Sequence, residues 1–162
     1  MSHVLLIATG GTIASTPESD GLTPTLTGRE LAERVPLLNT LCELDFVQPM
    51  NIDSTNMRPR DWLRLASVIR DAYERYDGFV ILHGTDTMAY TAAALSYLIQ
   101  GSEKPIVLTG SQQPMANPFT DAKLNLYHSV LYACDEASRD VSVVFGGEVI
   151  CGTRARKQRT MS

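Results

Sequence analysis

The sequence predicts an α/β domain: a doubly wound, mainly parallel sheet with helices on both faces. Three observations carry this. Short β-branched apolar runs alternate with segments of helical period, the order that builds parallel sheets. The runs are apolar at nearly every position rather than at alternate ones, which fits strands covered on both faces. Finally, small polar residues follow each run, so the loops should collect at one edge of the sheet.

Taken in order, "HVLLIA" (3–8) is the first buried strand. The next stretch, "STPESDGLTPTLTG", has two prolines and two glycines and reads as loop. At its end Thr27 and Glu30 have capping-box spacing and start a short helix before Pro36. A second strand lies within "CELDFVQPM". Residues 59–76 form the clearest helix, with Pro59 in the first turn and Trp62, Leu65, Ala66, Ile69, Tyr73 and Tyr76 on one apolar stripe. This stripe assigns Trp62 to the core. Asp77-Gly78 ends the helix, and "FVILH" (79–83) is a strand. A helix over 88–100 follows, with Thr85 or Asp86 as N-cap. The strand "PIVLT" (105–109), a helix over 121–134 and the strand "VSVVF" (141–145), followed by "EVICG", complete the pattern. No repeat or linker interrupts it, so residues 1–162 are expected to form one domain.

Composition sets the broad class. Hydrophobic residues make up 44% and charged residues 20% of the chain, a globular profile. No apolar run approaches a membrane span, and "VLLIA" is too short for a signal-peptide core and lacks a basic flank. The chain is therefore expected to start here, stay in the cytoplasm and bind no membrane. Cys42, Cys134 and Cys151 show no metal or redox spacing and read as packing residues. His3, His83 and His128 likewise lack ligand spacing, and His83 at a strand end is expected to orient its loop. The net charge is -4, and "RARKQR" (154–159) holds four of the 14 basic residues. An acidic body with no aromatic residue in that tail argues against a dedicated nucleic-acid binder.

The loop residues carry the chemistry. Thr9-Gly10-Gly11-Thr12, Asp53-Ser54-Thr55, Gly84-Thr85-Asp86-Thr87 and Gly110-Ser111-Gln112 should share one sheet edge. Loop starts and helix caps also favour such residues, so the clustering by itself leaves a purely structural reading open. Glycines beside Thr12 let a ligand approach the backbone, whose amides can face developing negative charge. A threonine hydroxyl becomes a nucleophile only when a neighbour takes its proton. A desolvated lysine can do so, and an aspartate can orient that lysine.

"TGGTIA" (9–14) together with "HGTDTMAYTA" (83–92) closely resembles the two signature motifs of the bacterial L-asparaginase family. "DSTNM" (53–57), "KPIVLTGSQQP" (104–114) and "DAKLNL" (121–126) extend the resemblance along the chain. It implies the family's N-terminal catalytic domain, Rossmann- or flavodoxin-like, and hydrolysis of L-asparagine to L-aspartate and ammonia. Thr12 matches the nucleophile that forms the acyl-enzyme. Thr85, Asp86 and Lys157 match the second catalytic group, with Lys157 aligned through "GTRARK". Ser54 and Thr55 match positions that hold the substrate α-carboxylate, and Asp86 also binds the α-amino group. Gly11 and Gly84 sit where backbone amides near Thr12 and Thr85 form the oxyanion hole. The route needs no metal or organic cofactor.

Two departures from the family stand out. Many members carry a tyrosine in the flexible loop after the first motif; here residues 14–40 contain none, and Leu22 occupies about that place, with Thr16 or Thr23 as substitutes. Members are also about twice as long, with a C-terminal domain that this chain is expected to lack, whether as a naturally short form or as a fragment. Weaker hold on the substrate ammonium follows, as does self-association into a homodimer or homotetramer through the uncovered surface. Two other readings compete. One is a non-catalytic sensor or regulatory subunit that binds asparagine or aspartate. The other is a flavodoxin-like FMN or phosphate module, although neither G-x-x-x-x-G-K-[ST] nor G-x-G-x-x-G is present.

Overall fold

The computed structural model describes residues 1–10, 15–18, 21–24, 33–110 and 121–153. Strand β1 (His3–Ala8) enters the core at once. Strands β2 (Ser15–Glu18) and β3 (Gly21–Pro24) form an antiparallel ribbon in the stretch expected to be loop. Its two prolines are tolerated because both strands of an isolated ribbon are edges, where a missing N–H need not break a ladder. The expected cap at Thr27 and Glu30 lies outside the described residues. A four-residue helix α1 (Leu38–Leu41) leads into β4 (Glu43–Val47).

Helix α2 (Pro59–Ala72) starts where Pro59 predicts, and the Asp61 carboxylate accepts the Arg58 N–H at 2.9 Å. Its last turn tightens into a 3-10 turn, Tyr73–Arg75, before β5 (Gly78–Leu82). Helix α3 (Met88–Leu98) is capped at Thr87, not at Thr85 or Asp86. Those two residues instead form the bend and turn that precede the helix, which leaves them at the sheet edge. Strand β6 (Pro105–Thr109), helix α4 (Ala122–Ala133) and strand β7 (Asp140–Phe145) follow in the expected order. "EVIC" is a further strand, β8 (Glu148–Cys151), antiparallel to β7. Gly146 and Gly147 join them with φ of 61° and 80°, the backbone of a two-residue hairpin turn in which both central residues need positive φ.

The sheet order is β4-β1-β5-β6-β7-β8, parallel throughout except for β8. Its five parallel strands thus have the flavodoxin-like 2-1-3-4-5 arrangement, whose ligand crevice lies where the chain reverses direction, between β1 and β5. Alternation along each strand feeds two cores. Leu6, Val80 and Val107 pack with Leu38, Leu126 and Val130 on the α1/α4 face. Leu5, Ile81 and Leu108 pack with Leu65, Ile69 and Leu95 on the α2/α3 face. Register then fixes the site: Ala8 pairs with Leu82 and Leu82 with Thr109, so Thr9, His83 and Gly110 leave the sheet at one level.

Candidate active site

Thr9 fastens the first strand exit to the second. Its N–H and its hydroxyl both donate to the Leu82 carbonyl, at 3.0 and 2.8 Å. Its own carbonyl accepts the Ile52 N–H at 2.8 Å and draws the segment after β4 across the end of β1. Gly10 lies beneath that segment with φ of 101°, and a Cβ there would stand 2.6 Å from the Ile52 carbonyl oxygen. Both the backbone angle and the space therefore demand glycine. Gly11 and Thr12 follow, outside the described residues.

The third wall comes from the segment drawn over β1. Asp53 Oδ1 accepts the Thr55 N–H at 3.2 Å, and a 3-10 turn spans Ser54–Asn56. Thr55 is exposed next to the crevice, and the backbone of Ser54 sits in the same turn.

After β5 the chain turns at Gly84, which is buried, as is Thr85, while Asp86 reaches solvent. The turn is held from behind by His83. Its Nδ1 lies 2.6 Å from the Gly84 carbonyl and its Nε2 lies 2.8 Å from the Thr91 hydroxyl, which accepts the indole N–H of Trp62 at 2.9 Å. A carbonyl only accepts, so the proton belongs on Nδ1 and Thr91 donates to Nε2. Burial pushes the His83 pKa down to about 4, outweighing the bond to Gly84 that works the other way. The ring is therefore neutral and rigid at pH 7. Orientation of the loop by His83 is borne out. Trp62, assigned to the core by its stripe, is instead half-buried and supplies the first donor of this relay.

Gly110 completes the edge. A Cβ on it would collide with the His83 carbonyl oxygen, so β5 and β6 approach closely only because the residue is glycine. The Asn125 carboxamide donates to the Gly110 carbonyl at 2.8 Å and accepts the Gly146 N–H at 3.0 Å.

The structure thus brings Gly84, Thr85 and Asp86 to the β1/β5 crevice, with Ser54 and Thr55 on the segment tied to Thr9. Lys157 and the rest of the basic tail, like Gly11 and Thr12, lie outside the described residues. Leu22, Thr16 and Thr23 belong to the β2/β3 ribbon, whose register pairs Thr16 with Thr23. The positioning roles of Thr91 and Asn125 went unassigned in the sequence, and Thr9 was read only as one of the small polar residues that follow the first strand. A threonine ending an apolar strand and a lone asparagine in "LNL" were the signals that could have found them. Among the described residues no group of three or more His, Cys, Asp or Glu is placed to hold a metal, and no helix is long and apolar enough to cross a membrane.

Comparison with known proteins agrees with this geometry. The family model "Asparaginase, N-terminal" matches residues 3–162. The chain belongs to the asparaginase family. It is 34% identical to the L-asparaginase of Thermococcus kodakarensis, covering 98% of this chain and 48% of that protein. It is also 38% identical over 169 aligned positions to one subunit of the glutamyl-tRNA(Gln) amidotransferase of Pyrococcus abyssi, covering 99% of this chain and 39% of that protein. The solved structure of the Thermococcus kodakarensis enzyme superposes with a TM-score of 0.91 over 99% of this chain and 49% of that one, at 33% identity. A probable cytoplasmic L-asparaginase from Campylobacter jejuni gives 0.83 at 32% identity, over 94% of this chain and 46% of that one. The chain therefore spans about half or less of the relatives it matches.

Proposed function

We propose that this chain carries the amide-hydrolysing site of an L-asparaginase. The observation that carries the reading is the meeting of Thr9-Gly10 with Gly84-Thr85-Asp86 at the β1/β5 crevice of an asparaginase-family fold. In this reading Thr12 Oγ attacks the side-chain amide carbon of asparagine while Lys157 takes its proton. The negative charge that develops on the amide oxygen is met by backbone amides near Gly11 and Thr85. The proton then passes to the departing nitrogen, which leaves as ammonia. Water hydrolyses the ester and releases aspartate. Ser54 and Thr55 hold the α-carboxylate, and the exposed Asp86 carboxylate holds the α-ammonium. A cytoplasmic setting and a homodimer or homotetramer belong to the same proposal. Tyr90 and Tyr97, 68% and 78% exposed on α3, lie one heptad apart on a helix without charged residues, which favours burial against another surface.

A second reading is supported by the relatives named as glutamyl-tRNA(Gln) amidotransferase components. There the same chemistry releases ammonia for use by a partner rather than to solvent.

The test is ammonia release from L-asparagine and L-glutamine by the purified chain, beside Thr12→Ala and Lys157→Met. Release from asparagine that both substitutions abolish supports the first reading. Preference for glutamine moves the assignment to the second. Release that survives Thr12→Ala overturns the nucleophile, and tight asparagine binding without release points to a sensor.

A further inference from the structure

The three hydrogen bonds behind the crevice run in one direction. The Trp62 indole donates to the Thr91 hydroxyl oxygen at 2.9 Å, and that oxygen lies 2.8 Å from His83 Nε2. His83 Nδ1 lies 2.6 Å from the Gly84 carbonyl. An indole N–H only donates and a carbonyl only accepts, so chemistry fixes both ends of the chain. Between them the Thr91 proton goes to Nε2 and the ring proton sits on Nδ1. His83 and Thr91 are 0% exposed, so bulk water replaces neither.

Trp62 and Thr91 are each the fourth residue of a helix, in α2 and α3, at the ends that follow β4 and β5 and so lie nearest the crevice. Leu65, Ile69 and Leu95 hold the two helices together in one apolar cluster, but such contact has no direction. The Trp62–Thr91 bond supplies the direction.

The Gly84–Thr85 peptide receives it. The peptide is trans, so its C=O and N–H point opposite ways in one plane. With the carbonyl turned back to His83, the Thr85 N–H is turned away from His83.

We infer that Trp62 is a positioning residue for the crevice: through Thr91 and His83 it fixes the plane of the Gly84–Thr85 peptide and aims the Thr85 N–H at the amide oxygen of a bound substrate. The proton on one imidazole nitrogen is set by the bond that the other nitrogen makes. Without the indole N–H, the Thr91 oxygen is free to accept from Nε2–H, while its own proton turns to the carbonyl one helical turn back, that of Thr87. Nδ1 would then face the Gly84 carbonyl lone pair to lone pair, a repulsion that rotation of the peptide relieves. Burial keeps the ring neutral at pH 7 in either case, with its pKa pushed down to about 4, so the choice is between tautomers. The peptide's orientation stands apart from the amide-hydrolysis reading; its effect on turnover rests on that reading.

The experiment measures both on one set of proteins. Long-range heteronuclear NMR spectra of the imidazole nitrogens at pH 7, assigned with His83→Asn, read the tautomer without any ligand. Ammonia release from L-asparagine reads kcat and KM. The parent is expected to show Nδ1–H. Trp62→Phe and Thr91→Val, each checked for native circular dichroism, should move the ring toward Nε2–H. They should lower kcat by roughly 5- to 50-fold, less than loss of a whole oxyanion donor, while KM stays within about 2-fold. Thr91→Ser should keep the parent's tautomer and kcat. The double variant should fall no further than the worse single one, because the groups act in series. A parent ring protonated on Nε2, or a tautomer that neither Trp62→Phe nor Thr91→Val changes, overturns the proposal. A changed tautomer with unchanged kcat does the same. The expected spectra throughout, with no ammonia released by the parent, overturn the amide-hydrolysis reading and uphold the hold of Trp62 on the peptide.

Discussion

Asn125 spans the exits of two strands: its amide nitrogen donates to the Gly110 carbonyl at 2.8 Å and its oxygen accepts the Gly146 N–H at 3.0 Å. The side chain is 2% exposed, so each bond it loses leaves a buried backbone group unpaired. Asn125→Leu should cost about 2–4 kcal/mol of stability, from two unmet groups at roughly 1–2 kcal/mol each. Urea midpoints read the loss. Asn125→Asp should cost at least as much, since a carboxylate cannot donate to Gly110.

Gly110 admits no side chain. Gly110→Ala drives a methyl against the His83 carbonyl, which is backbone and cannot swing aside. The strands must part or the loop must move, at about 1–3 kcal/mol. Parting would carry His83 and Gly84 with it, so ammonia release should fall more than the stability loss explains. Both are measured on the same preparation.

His83 makes stability depend on pH. Its folded pKa of about 4 lies below the ordinary histidine value of 6.5, so between these values the unfolded chain binds the extra proton. Stability from this group is complete above pH 6.5 and is lost as pH falls through 4. The full loss is about 3 kcal/mol. Urea unfolding of the parent at pH 7 and pH 5 should show part of it, and His83→Asn should flatten the slope in that window. An unchanged slope would place the ring outside the buried relay.

Thr91 joins Trp62 to His83, and Trp62 is the single tryptophan in the chain. Thr91→Val removes one acceptor and one donor together, at about 1–3 kcal/mol, and should shift tryptophan emission. Thr91→Ser keeps the hydroxyl and should restore both readings. Emission identical in the valine variant would contradict the bond to the indole.

Most of the fold was legible because apolar runs and helical stripes state burial directly. β1, β6 and the start of α2 fall where "HVLLIA", "PIVLT" and Pro59 put them. The misreadings have local causes. The β2/β3 ribbon was hidden by Pro17 and Pro24, which count against strands unless the strands are edges. β8 was hidden by its exposure: half of an antiparallel pair at a sheet border need not look apolar, though Gly146-Gly147 marked the turn. At the sheet edge, Gly84, Thr85 and Asp86 were legible from their position directly after β5. Of those that brace it from behind, His83 was, while Thr91 and Asn125 were not. Asn125 and Thr91 act through partners set by tertiary packing.

The shared level at which Thr9, His83 and Gly110 leave the sheet has an evolutionary corollary. A residue inserted in or deleted from β1, β5 or β6 would turn core side chains to the wrong face and shift a crevice loop along the strand axis by roughly 3.3 Å. The turns at the other end escape that penalty. Gly101, with φ of 66° and nothing within 4 Å of a Cβ, marks one such place. Length differences among descendants of this domain should therefore accumulate there, on the side of the molecule where added chain leaves the alignment of the crevice loops untouched.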